Sequence, residues 1–94
     1  MIVSFANKDT KSIWEGERIS KIPFEIQQIG RRKSRMLNNS QNIGDLTVPP
    51  SNRLEELSGK LKDYYSIRIN DQWRIIFKWE NNQAKEVEIL DYHK

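Results

Sequence analysis

The 94-residue sequence contains no cysteine and a single histidine, His93. The first absence excludes a disulfide framework, thiolate metal sites and a cysteine nucleophile. The second excludes a cage of several histidines around a metal. Neither a metal nor another cofactor is expected. No apolar run approaches the length of a membrane span. Residues 1–7 lack the basic start and long apolar stretch of a signal peptide, so a cytoplasmic protein with no membrane attachment is expected. A chain this short buries only about two-thirds of its unfolded surface, which points to a single domain over residues 1–94. Three Trp, three Tyr and three Phe can anchor its small core, because aromatic side chains bury the most area.

The net charge of +3 is unevenly spread. Basic and acidic residues balance in 1–30 and again in 51–94, so the surplus sits in 31–50. There Arg31, Arg32, Lys33 and Arg35 face only Asp45. Such a cluster suits an anionic partner such as RNA or DNA; it is equally compatible with a solvated helix face.

Residues 2–5 read as a short opening strand. Asp9 is suited to cap a short helix that Gly16 would end, with Ile13 and Trp14 buried. A second helix follows Pro23, a residue suited to a first turn. Ile22, Ile26, Ile29, Met36 and Leu37 fall on one arc of it, the stripe of a core-facing helix. Arg31 and Arg35 project from the far side, whereas Lys33 falls inside the apolar arc and must snorkel or lie beyond the packed part. Gly30 weakens this helix by about 1 kcal/mol relative to alanine. Residues 38–52 are polar and contain Pro49 and Pro50, the composition of a connector with room for one helical turn.

The remainder is patterned for strands. Residues 53–57 form a short strand ended by Ser58 and Gly59. Tyr65, Ile67 and Ile69 alternate with Tyr64, Ser66 and Arg68. After a turn at Asn70 and Asp71, Trp73, Ile75, Phe77 and Trp79 alternate with Arg74, Ile76 and Lys78. Asn81 and Asn82 supply the next turn, and Val87 and Ile89 continue the apolar face. The order is β-α-α-β-β-β-β, an α+β fold with both helices on one face of a small, mainly antiparallel sheet. The open face carries Arg68, Arg74, Ser66, Tyr64 and Lys78. Cations and aromatics on an open sheet can hold a phosphate backbone and stack bases; the outer face of any small sheet is also polar. The chain then runs into Asp91-Tyr92-His93-Lys94, where an imidazole that titrates near neutrality follows a phenol and a carboxylate.

Three segments together resemble the HigB group of the RelE/ParE toxin superfamily. They are Pro49-Pro50-Ser51-Asn52-Arg53-Leu54-Glu55-Glu56-Leu57-Ser58-Gly59, then Tyr65-Ser66-Ile67-Arg68-Ile69-Asn70-Asp71-Gln72-Trp73-Arg74-Ile75-Ile76-Phe77, then Val87-Glu88-Ile89-Leu90-Asp91-Tyr92-His93. These are toxins of type II toxin–antitoxin modules. The resemblance covers essentially the whole chain and implies a RelE-like fold. It also implies a ribosome-dependent endoribonuclease that enters the 30S A site and cuts mRNA there, by attack of a ribose 2′-OH on the adjacent phosphate without a metal. That chemistry needs a base, an acid and cations for the charge building on phosphorus. The matching residues are Arg74 as phosphate clamp, Tyr92 as positioning phenol, His93 as acid or base, and Asp91 as an orienting carboxylate. HigB relatives carry a His and a Lys where this chain has Glu55 and Ser58, so Glu55 is a candidate for catalytic support. Arg53, Lys60 and Arg68 are the nearby RNA-binding cations, and Arg31, Arg32 and Arg35 would contact ribosomal RNA. A HigA-like helix-turn-helix antitoxin is the implied partner. The alternative within the superfamily is a ParE-like inhibitor of DNA gyrase without nuclease activity.

Overall fold

The computed structural model describes residues 1–92. Two helices come first, α1 (Lys8–Trp14) and α2 (Phe24–Asn39). Four strands follow: β1 (Glu55–Glu56), β2 (Tyr64–Arg68), β3 (Trp73–Glu80) and β4 (Gln83–Asp91). They form an antiparallel meander in the order β1-β2-β3-β4. This is the expected α+β architecture, with several local differences.

The expected opening strand survives only as two isolated parallel bridges to β4, Ile2 with Ala84 and Phe5 with Val87. Its backbone still serves the sheet. Val3 and Ala6 donate to the carbonyls of Ala84 and Val87, each at 2.9 Å, and Met1 O accepts from Ala84 at 2.8 Å. Side chains complete the cover: Ser4 Oγ accepts from Glu86 N and Thr10 Oγ1 from Ile89 N. The outer edge of β4 is thereby screened from edge-to-edge pairing.

The cap of α1 is Asn7, not Asp9: the Asn7 side chain accepts from Thr10 N at 2.8 Å. An Asx side chain must precede the helix to reach that N–H, and Asp9 already lies in the first turn. Gly16, at φ 91°, follows the helix end in the left-handed region that suits glycine. Pro23 stands just before α2 as its cap position. The α1–α2 loop is held by buried Gln27, whose Oε1 accepts from Ile19 N while Nε2 donates to the carbonyls of Ile19 (2.7 Å) and Ile22 (2.5 Å).

The core lies between the helices and one sheet face. Ile13, Ile22, Ile26 and Leu37 meet Ile67, Ile69, Ile75, Phe77, Val87 and Ile89. Trp73 and Trp79 pack at its margin. Gly30 is a close-approach position: a Cβ there would lie 2.9 Å from Ile89 Cδ1. The hairpin joining β3 and β4 turns at Asn81 and Asn82, both at positive φ (52° and 60°) as the tight turn demands.

The connector departs furthest from expectation. It holds two short 3₁₀ turns, Ile43–Thr47 and Pro50–Asn52, and contributes the fully buried Leu46 to the core. Asn52 is also fully buried. Its Nδ2 donates to Leu46 O at 3.1 Å, and its Oδ1 accepts from Lys33 Nζ at 2.6 Å. Lys33 neither snorkels nor lies beyond the packing; it is buried and pins the connector to α2. Burial pushes its pKa below the usual lysine value, and the positive charges of Arg32 and Arg68 lower it further. The expected strand at 53–57 shrinks to two residues because Arg53 adopts a left-handed conformation, φ 46°.

Candidate functional site on the open sheet face

The site is built by strand parity. Glu55 on β1 pairs with Ser66 on β2, Ser66 with Ile76 on β3, and Arg68 with Arg74. All lie on the face away from the helices. Ile76 on this face is buried but stands outside the main core cluster.

Arg74 is the hub of the face. Its Nη1 donates to Ser66 Oγ at 2.7 Å and lies 3.0 Å from Glu55 Oε1. Its Cζ sits 5.2 Å from the Tyr92 ring centroid, within cation–π range. Far from being a solvated sheet residue, the Arg74 side chain is 15% exposed, against 54% for Glu55. A desolvated guanidinium with one rim carboxylate is a place where an exchangeable anion can bind through charge-assisted hydrogen bonds.

Tyr92 is placed by the β2–β3 turn. Asn70 Oδ1 accepts from Gln72 N and Trp73 N, both at 2.8 Å, which closes an Asx turn. Gln72 O then accepts from Tyr92 N at 2.7 Å. Asp91 has the other parity, opposite Trp73, and its Oδ2 accepts from Gln72 Nε2 at 3.0 Å. It therefore supports the turn that sets Tyr92 and is not beside Arg74. His93 lies outside the described residues.

The expected RNA-binding cations are dispersed. Arg68, across from Arg74, is paired with Asp71. Arg53 and Lys60 are exposed, Arg53 beside β1 and Lys60 on the 3₁₀ turn Gly59–Leu61. The basic cluster of 31–35 is smaller than its sequence suggests. Lys33 is buried, and Arg31 Nε donates to Ile13 O at 2.9 Å, which ties α2 to the end of α1. Arg32 and Arg35 are exposed, but in the helix layer on the other face of the sheet from Arg74.

One row along, Tyr64 Oη donates to Glu86 Oε1 at 3.0 Å, and Lys78 Nζ lies 3.4 Å from Glu86 Oε2. Desolvation and the Glu86 hydrogen bond raise the Tyr64 pKa, and Glu86 raises that of Lys78. Glu86 sits at φ 53° near the register shift between β3 and β4. The contribution of Glu86 to this face is invisible in the alternation, because a bulge resets parity.

The architecture is the RelE-like α+β fold. Two solved structures of YoeB–YefM toxin–antitoxin complexes from Staphylococcus aureus superpose over 100% of this chain and 99% of theirs. Each has a TM-score of 0.63 at 15% identity. Residues 3–93 match the family described as the RelE-like toxin of type II toxin-antitoxin system HigB, and the chain belongs to that family. It is 38% identical over 95 aligned positions to Toxin HigB-1 of Vibrio cholerae, covering 100% of this chain and 99% of that protein. It is 32% identical to Endoribonuclease HigB of Proteus vulgaris, covering 99% and 100%. An uncharacterized Haemophilus influenzae protein is 45% identical over 78 residues, 83% of this chain and 76% of its own length.

Proposed function

We propose that this toxin is an endoribonuclease that cuts mRNA in the ribosomal A site and is neutralised by a HigA-like helix-turn-helix antitoxin. The observation that carries the reading is Arg74, desolvated, fixed by Ser66 and facing a more exposed carboxylate. The Proteus relative bears the name of an endoribonuclease, and the Staphylococcus neighbours are toxin–antitoxin complexes.

In this reading the scissile phosphate takes the guanidinium edge that Glu55 holds in the free protein. The released carboxylate stands next to the reacting ribose and accepts the 2′-OH proton. The 2′-oxygen attacks phosphorus, and the bond to the 5′-oxygen breaks. That oxygen leaves with a proton, which His93 supplies, giving a 2′,3′-cyclic phosphate and a 5′-hydroxyl. Arg74 balances the charge that builds on the phosphoryl oxygens, and the Tyr92 ring limits where the strand lies. Side chains thus fill the roles of base, acid and cation, and the reading requires no metal.

The open face is shallow, and the turn at Gln72 holds Tyr92, whose ring borders the Arg74 guanidinium. A flexible RNA strand needs a second surface to hold it in line for attack, and positioning of that kind is worth about 7–11 kcal/mol in favourable cases. The ribosome supplies it. Arg32, Arg35 and Arg53 are exposed cations available for ribosomal RNA, so association weakens as salt rises.

The test is primer-extension mapping of an mRNA incubated with the purified toxin, with and without programmed ribosomes, beside a gyrase supercoiling assay. Defined cuts only on ribosomes support the reading. Rapid cutting of naked mRNA refutes ribosome dependence. Loss of supercoiling without any cut replaces the nuclease by a gyrase inhibitor.

A further inference from the structure

Ser66 is fully buried although it lies on the open face of the sheet. It occupies the middle of β2, opposite Glu55 on one side and Ile76 on the other. Its Oγ accepts from Arg74 Nη1 at 2.7 Å, and the same nitrogen lies 3.0 Å from Glu55 Oε1. The two partners differ in kind. Ser66 sits on a strand paired on both sides, with no room to leave. Glu55 sits on a two-residue edge strand, and its side chain is more than half exposed. An incoming anion can displace the carboxylate but not the hydroxyl.

We propose that Ser66 is a positioning residue for Arg74: its buried hydroxyl anchors the guanidinium so that the place now taken by the Glu55 carboxylate is where the substrate phosphate binds. This rests on the ribonuclease reading above. A guanidinium has rotatable torsions up to Nε, and its fork is useful only when aimed. With Glu55 displaced, the remaining contacts on Arg74 among the described residues are Ser66 Oγ and the face of Tyr92. The ring restrains the guanidinium plane, and the hydroxyl fixes its direction. Serine also suits the space. It is the smallest side chain that brings a hydroxyl oxygen to Nη1, and at this fully buried position little more would fit.

The experiment compares wild type, Ser66→Ala and Ser66→Thr, each checked by a thermal melt. The first readout is the ¹⁵N spectrum of the Arg74 guanidinium in the isolated protein, taken in a Glu55→Ala background so that the carboxylate no longer holds Nη1. With Ser66 present the spectrum should show slow rotation with resolved Nη signals, Ser66→Ala should lose them, and Ser66→Thr, which keeps the oxygen, should restore them. The second readout is single-turnover cleavage on programmed ribosomes. Ser66→Ala should fall by about 10²-fold, the scale of a 1 Å misplacement, with recovery in Ser66→Thr. Wild-type cleavage by a folded Ser66→Ala, or an unchanged guanidinium spectrum, overturns the proposal. Should Ser66→Thr fail to fold because of its added methyl, the Ser66→Ala spectrum and rate decide alone. Failure of the reading beneath it looks different: wild type then makes no cut, while the guanidinium spectrum still reports the anchor.

Discussion

Replacing Asn52 with alanine probes the pin between the connector and α2. The side chain is fully buried, accepts from Lys33 Nζ at 2.6 Å and donates to Leu46 O at 3.1 Å. Among the described residues no carboxylate forms an ion pair with Lys33, so Asn52 is what makes its burial tolerable. Losing a hydrogen bond to a charged group costs about 1.5–3 kcal/mol, and losing the neutral bond to Leu46 O, the shorter of the two to connector carbonyls, about 1 kcal/mol. The sum is about 2.5–4 kcal/mol. At about 4–8 °C per kcal/mol for a domain of this size, Asn52→Ala should lower Tm by about 10–30 °C. Lys33→Met removes the buried ammonium but leaves Asn52 Oδ1 without its donor, at about 1–2 kcal/mol. The double variant leaves neither a charge nor that orphaned oxygen, so the two costs should fall short of additive by about 1 kcal/mol or more. The assay is thermal or urea unfolding of the four proteins. A drop under 5 °C for Asn52→Ala, or strictly additive losses, would show that the pin does not operate.

Lys33 also sets a pH signature. Its native pKa lies below the unfolded value near 10.5, so between the two the unfolded chain binds more protons and stability from this group rises with pH. Tyr64, shifted upward, acts in the opposite sense above pH 10; the difference between the pH–stability curves of wild type and Lys33→Met isolates the lysine, and that difference should be steepest between the lowered native pKa and the unfolded value near 10.5. Gly30→Ala should bring none of the usual helix gain of about 1 kcal/mol, because the new Cβ meets Ile89 Cδ1. In an Ile89→Val background, which removes that methyl, the same change should stabilise, as melting curves will show. Removing His93 and Lys94 should slow ribosome-bound cleavage by about 10²–10⁴-fold with little change in melting, since the last core residue of β4 is Ile89; Lys94→Ala alone should be mild.

Regular segments were legible because periodicity reports a face. The α2 stripe and the alternation from Trp73 to Trp79 placed both helices on one side of the sheet, and the same parity put Arg74 and Arg68 on the other. What escaped was set by single long-range contacts. Leu46 is one apolar residue in a polar run, with no period to betray it. Asn52 and Lys33 read as solvent-facing types until each supplies the other's partner. Arg31 projects from α2 as expected, yet finds the carbonyl of Ile13. Asp9 has the right side chain for the cap of α1, but Asn7 is the residue placed to accept from Thr10 N. In the site, alternation puts Ser66 on the open face but gives it no role. The available signal was its place in the row facing Arg74, where a short hydroxyl on an otherwise long-chained face has one arginine to serve. Asp91 shares a tripeptide with Tyr92 and His93, but strand alternation turns it to the side of Trp73.

The central claim is that Arg74 grips the scissile phosphate of ribosome-bound mRNA. The direct measurement is single-turnover cleavage on programmed ribosomes by wild type, Arg74→Lys and Arg74→Ala, beside a melt of each. Arg74→Ala loses a rim ion pair to an exposed carboxylate, the hydrogen bond to Ser66 Oγ and the ring contact with Tyr92, so the stability cost should be about 2–5 kcal/mol. Cleavage should fall by about 10²–10³-fold, the scale of removing one transition-state donor, and Arg74→Lys should recover it only in part, because an ammonium lacks the planar fork. A folded Arg74→Ala protein that cuts ribosome-bound mRNA at the wild-type rate would contradict the account.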